Sequence, residues 1–225
     1  MKGVIPWQVN SSWPHAIREL EIDLTKTGLV MVDVQNYSEK NAAIVPQCAR
    51  LRDFFHRLGL EVIYLRVGSL LPGRRDMHAK RALSWMKPPG DAPALVVHPG
   101  TWNHDVVDDL APQPGELVID KNSSGAFNSS GLDRYLQAMG LQNLVFCGAA
   151  TSRCVDNTAR GAADRGYNVI LVEDACIDPV QRNHCTTVRT FGDAFGAVKT
   201  TDEVLADLGA LASNIPMPTS AGATD

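Results

Sequence analysis

Between residues 28 and 212, short apolar runs alternate with longer segments in which apolar residues recur at helical spacing. Short, nearly continuous apolar runs rich in valine and isoleucine are typical of strands buried on both faces of a sheet. Such runs lie at 28–34, 61–67, 116–120, 143–147, 168–172 and 197–200. Segments with helical spacing lie at 41–58, 131–139, 153–165, 182–191 and 202–212. This order predicts an α/β fold of the three-layer αβα kind, with an open, doubly wound, six-stranded and mostly parallel sheet.

We expect residues 1–225 to form one domain. Three of its segments depart from the alternation of apolar runs and helical segments. Residues 1–27 are mixed in character and predict an N-terminal arm on the surface. Residues 68–115 carry many prolines and basic residues, and so long an irregular stretch predicts a region that binds substrate or contacts another subunit. The alternative for that stretch is a solvated connector with one short helix near 75–86. Residues 213–225 are small and polar, which predicts a flexible tail.

The overall composition narrows the classes of partner. A net charge of −4 and a pI near 5.8 give no electrostatic reason to bind nucleic acid or an anionic membrane. No apolar run approaches the roughly 20 residues that span a bilayer, and the N-terminus lacks the apolar segment of a signal peptide. Five cysteines cannot all pair and none forms a C-x-x-C motif, so we expect a reduced, cytoplasmic protein. A small molecule is the expected partner.

Three reactive side chains lie at or just after the ends of predicted strands: Asp33, Lys121 and Cys154. In open parallel sheets, ligands bind beyond the carboxyl ends of the strands, so these three groups are expected to meet in one crevice. Cys154 also falls where a helix should begin, and free backbone N–H groups with the helix dipole favour a thiolate there. The set predicts nucleophilic attack on an amide carbonyl, followed by hydrolysis of a thioester.

Charge suggests a role for each member of this predicted catalytic set. Asp33 would act as general base and then as general acid, while Lys121 would keep Asp33 ionised and stabilise the thiolate. The backbone N–H groups of Ala150 and Cys154 would bind the oxyanion. Each side chain has a structural alternative: Cys154 as a small core residue, Asp33 as a loop brace, and Lys121 as a surface charge beside Asp120. The remaining cysteines considered as core are Cys147, Cys176 and Cys185.

Several motifs between residues 25 and 210 resemble those of the isochorismatase-like cysteine hydrolases, and they follow the order found in that family. They are Val30-Met-Val-Asp33-Val-Gln-Asn36, Val118-Ile-Asp-Lys121, Ser124-Gly-Ala-Phe127, Gly131-Leu-Asp-Arg-Tyr-Leu136, Gly148-Ala-Ala-Thr-Ser-Arg-Cys154 and Gly166-Tyr-Asn-Val-Ile-Leu-Val-Glu-Asp174. The resemblance implies a six-stranded parallel sheet and an Asp–Lys–Cys catalytic set. It also implies a cis peptide in the Ala149-Ala150 turn, aiming an N–H into the oxyanion hole, and homodimers or homotetramers.

Further stretches resemble one branch of that family. Gly100-Thr-Trp102, 107–115 and Leu144-Val-Phe-Cys-Gly148 look like the ureidoacrylate amidohydrolases, with their biuret and N-carbamoylsarcosine relatives. This resemblance implies cleavage of a ureido or carbamoyl amide with release of ammonia. The alternatives are vinyl-ether hydrolysis of the isochorismatase type and a binding member of the family without catalysis.

Metal and substrate contacts are the last expectations. The metal-binding Asp-x-His of nicotinamidases is represented only by Asp76-Met-His78, without the second histidine, so no metal and no cofactor are expected. Asn36, Tyr37 and Phe127 are the candidate substrate-binding residues, with a loop-bracing amide as the alternative for Asn36 and a core position for Phe127. A substrate carboxylate could bind Arg74, Arg75 or Arg81; if none of them faces the pocket, a neutral substrate such as biuret is favoured.

Overall fold

The computed structural model describes residues 1–6, 19–77 and 97–213. At the N-terminus, β1 (Lys2–Pro6) and β2 (Glu19–Asp23) form an antiparallel pair, with Lys2 opposite Asp23. The side chains of Ile5, Leu20 and Ile22 are buried in the core. The segment predicted as a surface arm therefore contributes a regular strand pair to the hydrophobic core.

The main sheet consists, within the described residues, of six strands that run parallel to one another. They are β3 (Thr27–Val32), β4 (Glu61–Val67), β5 (Leu117–Lys121), β6 (Asn143–Ala149), β7 (Asn168–Ile177) and β8 (Ala197–Lys199). Their order across the sheet is β5-β4-β3-β6-β7-β8. The predicted fold class is confirmed.

The helices connect these strands and cover both faces of the sheet. They are α1 (Val45–Arg57), α2 (Ala126–Ser129), α3 (Leu132–Ala138), α4 (Asp156–Ala163), α5 (Gln181–Ala194) and α6 (Thr201–Ser213). The one-turn helix α2 was not predicted, and the helix predicted over 153–165 begins with a π-helical turn, Thr151–Val155, that runs into α4. The helix predicted near 75–86 lies mostly outside the described residues, and the predicted tail lies outside them beyond residue 213.

Alternating side chains of β3 show why two hydrophobic layers form. Leu29 and Met31 point into the layer that contains α1 and α6, whereas Val30 and Val32 point into the layer that contains α2 to α5. Both layers are built from buried aliphatic and aromatic side chains. None of the helices in the described parts of the chain is long and apolar enough to cross a bilayer.

The strand order places a topological switch point between β3 and β6. The chain moves outward from β3 to β4 and β5, then returns to β6 on the other side of β3 and continues outward to β8. Connections that leave neighbouring strands in opposite directions open a crevice at the carboxyl edge of the sheet. This crevice is where the sequence predicts the reactive residues to meet.

Candidate active site

Asp33 follows β3 directly and is fully buried at the switch point. Its backbone φ is 52°, a left-handed conformation that is uncommon for residues other than glycine and that aspartate tolerates better than most. Its N–H donates to the Leu65 carbonyl at 2.9 Å, and its carbonyl accepts from Asn41 Nδ2 at 3.3 Å. Non-glycine residues held in this conformation are concentrated at functional sites.

Two buried amide side chains, Gln35 and Asn41, hold the backbone around Asp33. Gln35 Nε2 donates to the carbonyls of Val67 at 3.1 Å and His104 at 2.8 Å, and its Oε1 accepts from Val67 N–H at 2.8 Å. Asn41 Nδ2 also donates to the Gln35 carbonyl at 2.8 Å. Sequence reasoning missed this network, although an amide directly after a buried apolar strand is a usable signal, because it must find partners there.

Lys121 is the last residue of β5, and its side chain reaches Asp33 inside the protein. Its Nζ donates to Asp33 Oδ2 at 2.8 Å and to the Ser123 carbonyl at 3.1 Å, and both partners of the ion pair are 0% exposed. Burial lowers the pKa of Lys121, but the charges of Asp33 and Cys154 and the hydrogen bonds to them together outweigh burial and raise the pKa above its usual value. The surface-charge alternative is wrong, because the Lys121 side chain is fully buried. Asp120, its expected partner in that alternative, pairs instead with Arg66 Nε at 2.8 Å.

Cys154 lies in the π-helical turn that follows β6. The Ala150 carbonyl accepts the N–H groups of Arg153 at 2.9 Å and Val155 at 3.3 Å. Asp178 caps the same turn, because its Oδ2 accepts from the Ser152 N–H at 2.9 Å and from the Ser152 Oγ at 2.6 Å. The peptide bond between Ala149 and Ala150 is cis, as the resemblance implied.

Close approach of β6 to β3 brings Cys154 beside Asp33, and Gly148 makes this approach possible. Gly148 has φ 125°, and a Cβ at that position would lie 2.0 Å from the Val32 carbonyl oxygen. Any side chain there would push β6 away from the strand that carries Asp33. The glycine therefore sets the distance between the two halves of the site.

The surroundings of Cys154 disfavour ionisation of its thiol. Burial, together with the charge and hydrogen bonding of Asp33, raises its pKa to about 12, and Lys121 only partly opposes this. Removal from water and the neighbouring carboxylate therefore oppose the effect expected of the helix start, which favours the thiolate. The same arrangement places a proton acceptor, Asp33, next to the thiol.

A small cavity of about 80 Å³ opens beside Cys154. The lining residues are Tyr37, Ser38, Lys40, Asn41, Ala149, Ala150, Arg153, Cys154, Ile177 and Pro179. Tyr37 stands close to the reactive groups, because burial and then the charges of Asp33 and Cys154 raise its pKa well above the usual value. The structure thus brings Tyr37 to the site, as the sequence predicted.

Two of the candidate substrate contacts are not at this cavity. Asn36 braces a loop: its Nδ2 donates to the Trp102 carbonyl at 3.1 Å, which is the structural alternative considered for it. Phe127 packs beside Gly161 of α4, with its ring 6.4 Å from that of Tyr167 and with the Arg165 guanidinium 4.4 Å from the ring centre. Phe127 does not line this cavity, and it packs against the hydrophobic core, which is the alternative considered for it.

The basic residues proposed for a carboxylate are also elsewhere. Arg75 Nε donates to the Pro72 carbonyl at 3.2 Å in the loop after β4, and neither it nor Arg74 lines the cavity. Arg81 lies outside the described residues. The basic side chains that do line the cavity are Lys40 and Arg153, which sequence reasoning missed. Arg153 could have been noticed, because it directly precedes the cysteine in the helix start.

Asp76, the first residue of the considered metal motif, is engaged in the loop after β4. Its carboxylate accepts from Ser69 Oγ at 2.7 Å, from Leu70 N–H at 2.7 Å and from Asn122 Nδ2 at 3.2 Å. His78 lies outside the described residues. Within the described ranges, no group of three or more His, Cys, Asp or Glu side chains is placed to hold a metal ion.

Known proteins resemble this chain in sequence and in fold. The chain matches the Isochorismatase domain family over residues 27–203. A ureidoacrylate amidohydrolase, RutB, of Azorhizobium caulinodans is 32% identical over 212 residues, covering 83% of this chain and 92% of the relative. The RutB ureidoacrylate amidohydrolase of Caulobacter vibrioides is 29% identical over 224 residues, covering 88% and 98% respectively.

Solved structures of other proteins have a similar fold. A cysteine hydrolase of Pseudomonas syringae pv. phaseolicola superposes with a TM-score of 0.74 at 25% identity, covering 84% of this chain and 95% of that one. An N-carbamoylsarcosine amidase of Thermoplasma acidophilum superposes with a TM-score of 0.66 at 25% identity, covering 79% and 97%. The fold is an open, doubly wound α/β sheet whose candidate site lies at the topological switch point. The chain belongs to the isochorismatase family.

Proposed function

We propose that this protein is a cysteine amidohydrolase that cleaves an amide C–N bond of a small ureido or carbamoyl compound and releases ammonia. The observation that carries the proposal is the buried Lys121–Asp33 ion pair, 2.8 Å between Nζ and Oδ2, beside the Cys154 thiol at the wall of a small cavity. The similarity to ureidoacrylate amidohydrolases and to an N-carbamoylsarcosine amidase supports this substrate class.

Acylation begins with the transfer of the thiol proton, because burial and Asp33 raise the pKa of Cys154. Asp33 accepts the proton of Cys154 Sγ as the sulfur bonds to the carbonyl carbon, and the π electrons of the C=O bond move to oxygen. The N–H groups of Ala150 and Cys154 donate to this oxyanion. When the C=O bond re-forms, the C–N bond breaks, and protonated Asp33 returns its proton to the departing nitrogen.

Deacylation repeats these transfers with water. Asp33 takes a proton from water as the oxygen attacks the thioester carbon, the C–S bond breaks, and the sulfur recovers its proton. Lys121 carries its charge throughout, since Asp33 raises its pKa, and it keeps Asp33 ionised between proton transfers. Tyr37 forms one wall against the bound substrate.

A substrate screen with a matched variant tests the proposal. Ammonia release is measured from ureidoacrylate, N-carbamoyl amino acids, biuret, triuret, maleamate and nicotinamide, for the wild type and for Cys154→Ala. We expect release from at least one ureido or carbamoyl compound, and none from it with the variant. Turnover that survives in Cys154→Ala would remove the cysteine mechanism, and release from nicotinamide alone would remove the substrate class.

A further inference from the structure

The charges around the cavity are distributed unevenly. Among the described lining residues, Lys40 and Arg153 are the charged side chains, and both are cationic. Behind the cavity, the charges of Asp33 and Lys121 compensate one another in their ion pair. The mouth is therefore electropositive in a chain whose net charge is −4.

Lys40 and Arg153 approach the cavity from opposite sides of the switch point. Lys40 lies in the 3₁₀ turn Glu39–Ala43 that follows β3, and its Nζ donates to the Pro179 carbonyl at 3.4 Å. Arg153 lies in the turn that follows β6, directly before Cys154. Because Pro179 also lines the cavity, the ammonium group of Lys40 is held at the wall.

Arg153 makes no ion pair within the described ranges of the chain. The charge of Arg153 acts on the carboxylate of Asp178. That carboxylate already accepts hydrogen bonds from Ser152 and, at 3.0 Å, from the Val180 N–H. Burial raises the pKa of Asp178, but these hydrogen bonds and then the Arg153 charge outweigh it and lower the pKa. The Arg153 guanidinium is thus available to a ligand in the cavity.

We infer that Arg153 and Lys40 form a carboxylate-binding subsite that selects anionic ureido or carbamoyl acids over neutral ureides. The inference rests on the proposed function, because the scissile amide must lie at Cys154 while the carboxylate lies at the mouth. An arginine suits a carboxylate in particular, since its planar guanidinium can donate two parallel hydrogen bonds. A neutral ureide has no negatively charged group that could bind to this arginine.

Matched substrates and variants test this specificity. The kcat and KM for ammonia release are measured with N-carbamoylglycine, N-carbamoylsarcosine and ureidoacrylate as acids, and with biuret, triuret and N-methylurea as neutral compounds. Arg153→Gln and Lys40→Gln remove one charge each, Arg153→Lys keeps it, and Arg189→Gln removes an exposed charge on α5 away from the cavity.

The wild type is expected to favour the best acid, and Arg153→Gln to lower its kcat/KM by about 10- to 100-fold, mainly through KM. Lys40→Gln should act in the same direction, Arg153→Lys should recover part of the loss, and Arg189→Gln should change nothing. Turnover of neutral compounds should stay within about 2-fold, because they do not use the subsite. A best substrate that is neutral, or equal losses for acids and neutral compounds, would overturn the inference while leaving the amidohydrolase proposal standing.

Binding separates this inference from failure of the catalytic proposal. Calorimetric titration of Cys154→Ala with N-carbamoylglycine, N-carbamoylsarcosine and ureidoacrylate needs no turnover. Binding of one of these acids that weakens about 10-fold or more in Cys154→Ala/Arg153→Gln, and that weakens with added salt, supports the subsite even where ammonia release is not seen. Binding that is absent for all three acids, or that is indifferent to Arg153, contradicts it.

Discussion

Two neighbourhoods of this protein hold buried sulfur, and they differ in what surrounds it. Cys154 is 4% exposed and Cys176 is 6% exposed, so accessibility does not distinguish them. In both neighbourhoods the thiol pKa is raised, for Cys176 through burial and for Cys147 through a hydrogen bond with Cys48 and burial. Cys154 differs because it has Asp33, Lys121 and a cavity beside it. A proton acceptor and room for a carbonyl, and not exposure, distinguish Cys154, the sulfur that we propose as the nucleophile.

The largest expected effect tests the difference between Cys154 and Cys176. Cys154→Ser should lower kcat/KM for ammonia release by at least about 10³-fold, because the alkoxide needed for attack is not formed by this site. Cys176→Ala, a matched buried cysteine, should keep activity within a few-fold while costing about 1–2 kcal/mol of unfolding free energy. Steady-state kinetics and urea unfolding check the pair. Equal activity losses in both variants would contradict the distinction between the two neighbourhoods.

The second effect concerns the ion pair of Asp33 and Lys121, which lies beside Cys154. Asp33→Asn leaves the buried Lys121 cation without its partner and should destabilise the fold by about 3–5 kcal/mol. Lys121→Met should have a comparable cost, whereas the double variant should recover most of the lost stability, because no buried charge is left unpaired. All three variants should lose ammonia release.

Urea unfolding and activity assays on these three variants separate the two roles of the ion pair. Recovery of stability without recovery of activity is the expected result. If the double variant were as active as the wild type, the ion pair would be a structural feature only.

The third effect concerns Gly148, where β6 approaches β3 closely. Gly148 lies between Cys147 and the cis peptide, and a Cβ there would meet the Val32 carbonyl oxygen at 2.0 Å. Gly148→Ala should therefore lower both stability and activity. Gly59→Ala is the control: Gly59 also has a positive φ, 64°, but nothing lies within 4 Å of a Cβ there.

Thermal unfolding and kcat/KM measure this third effect. Gly59→Ala should cost only about 1–2 kcal/mol, the conformational penalty, with activity retained. Gly148→Ala should cost more and should reduce kcat/KM as well. Similar stability losses with activity intact in both variants would show that β6 can move away from β3 without disturbing the site.

The smallest effect contrasts the charged pair with a buried group that stays neutral. His104 is fully buried near Asp120, Arg66 and Asp105, and burial lowers its pKa below the ordinary 6.5, with Arg66 adding to this and the two carboxylates opposing it. Because the unfolded chain then binds the proton more readily, His104 should make the fold less stable as the pH falls below about 6.5. His104→Asn should lose less stability than the wild type between pH 7.5 and pH 5, measured by urea unfolding. A steeper loss in the variant would contradict the neutral assignment.

The strands were predictable because a parallel sheet buried on both faces requires apolar runs, and β3 and β6 are almost uninterrupted ones. The meeting of Asp33, Lys121 and Cys154 was predictable for a related reason, since parallel strands bring their carboxyl ends to one edge. Helix α2 was missed because four residues are too few to show helical periodicity. The strand pair at the N-terminus was missed because its two halves are far apart in the sequence.

Other features depend on contacts that periodicity does not contain. Phe127 is apolar and follows Lys121 closely, but the turn of α2 directs its ring to Arg165 and Tyr167. Cys185 was expected in the core and is exposed, because α5 presents that face to solvent. The rise in the pKa of Cys154 could not be predicted from the sequence. The helix start is visible in the sequence, whereas the degree of burial and the distance to Asp33 are properties of the folded chain.

Capture of the acyl-enzyme tests the central claim most directly. The wild type is mixed with the best substrate of the screen, quenched in acid during turnover, digested and analysed by mass spectrometry, with Asp33→Asn as the matched control. The account predicts that the acyl fragment of the substrate is attached to Cys154 and that this adduct is absent from Asp33→Asn. An adduct on another cysteine, or full turnover with Cys154 replaced by alanine, would contradict it.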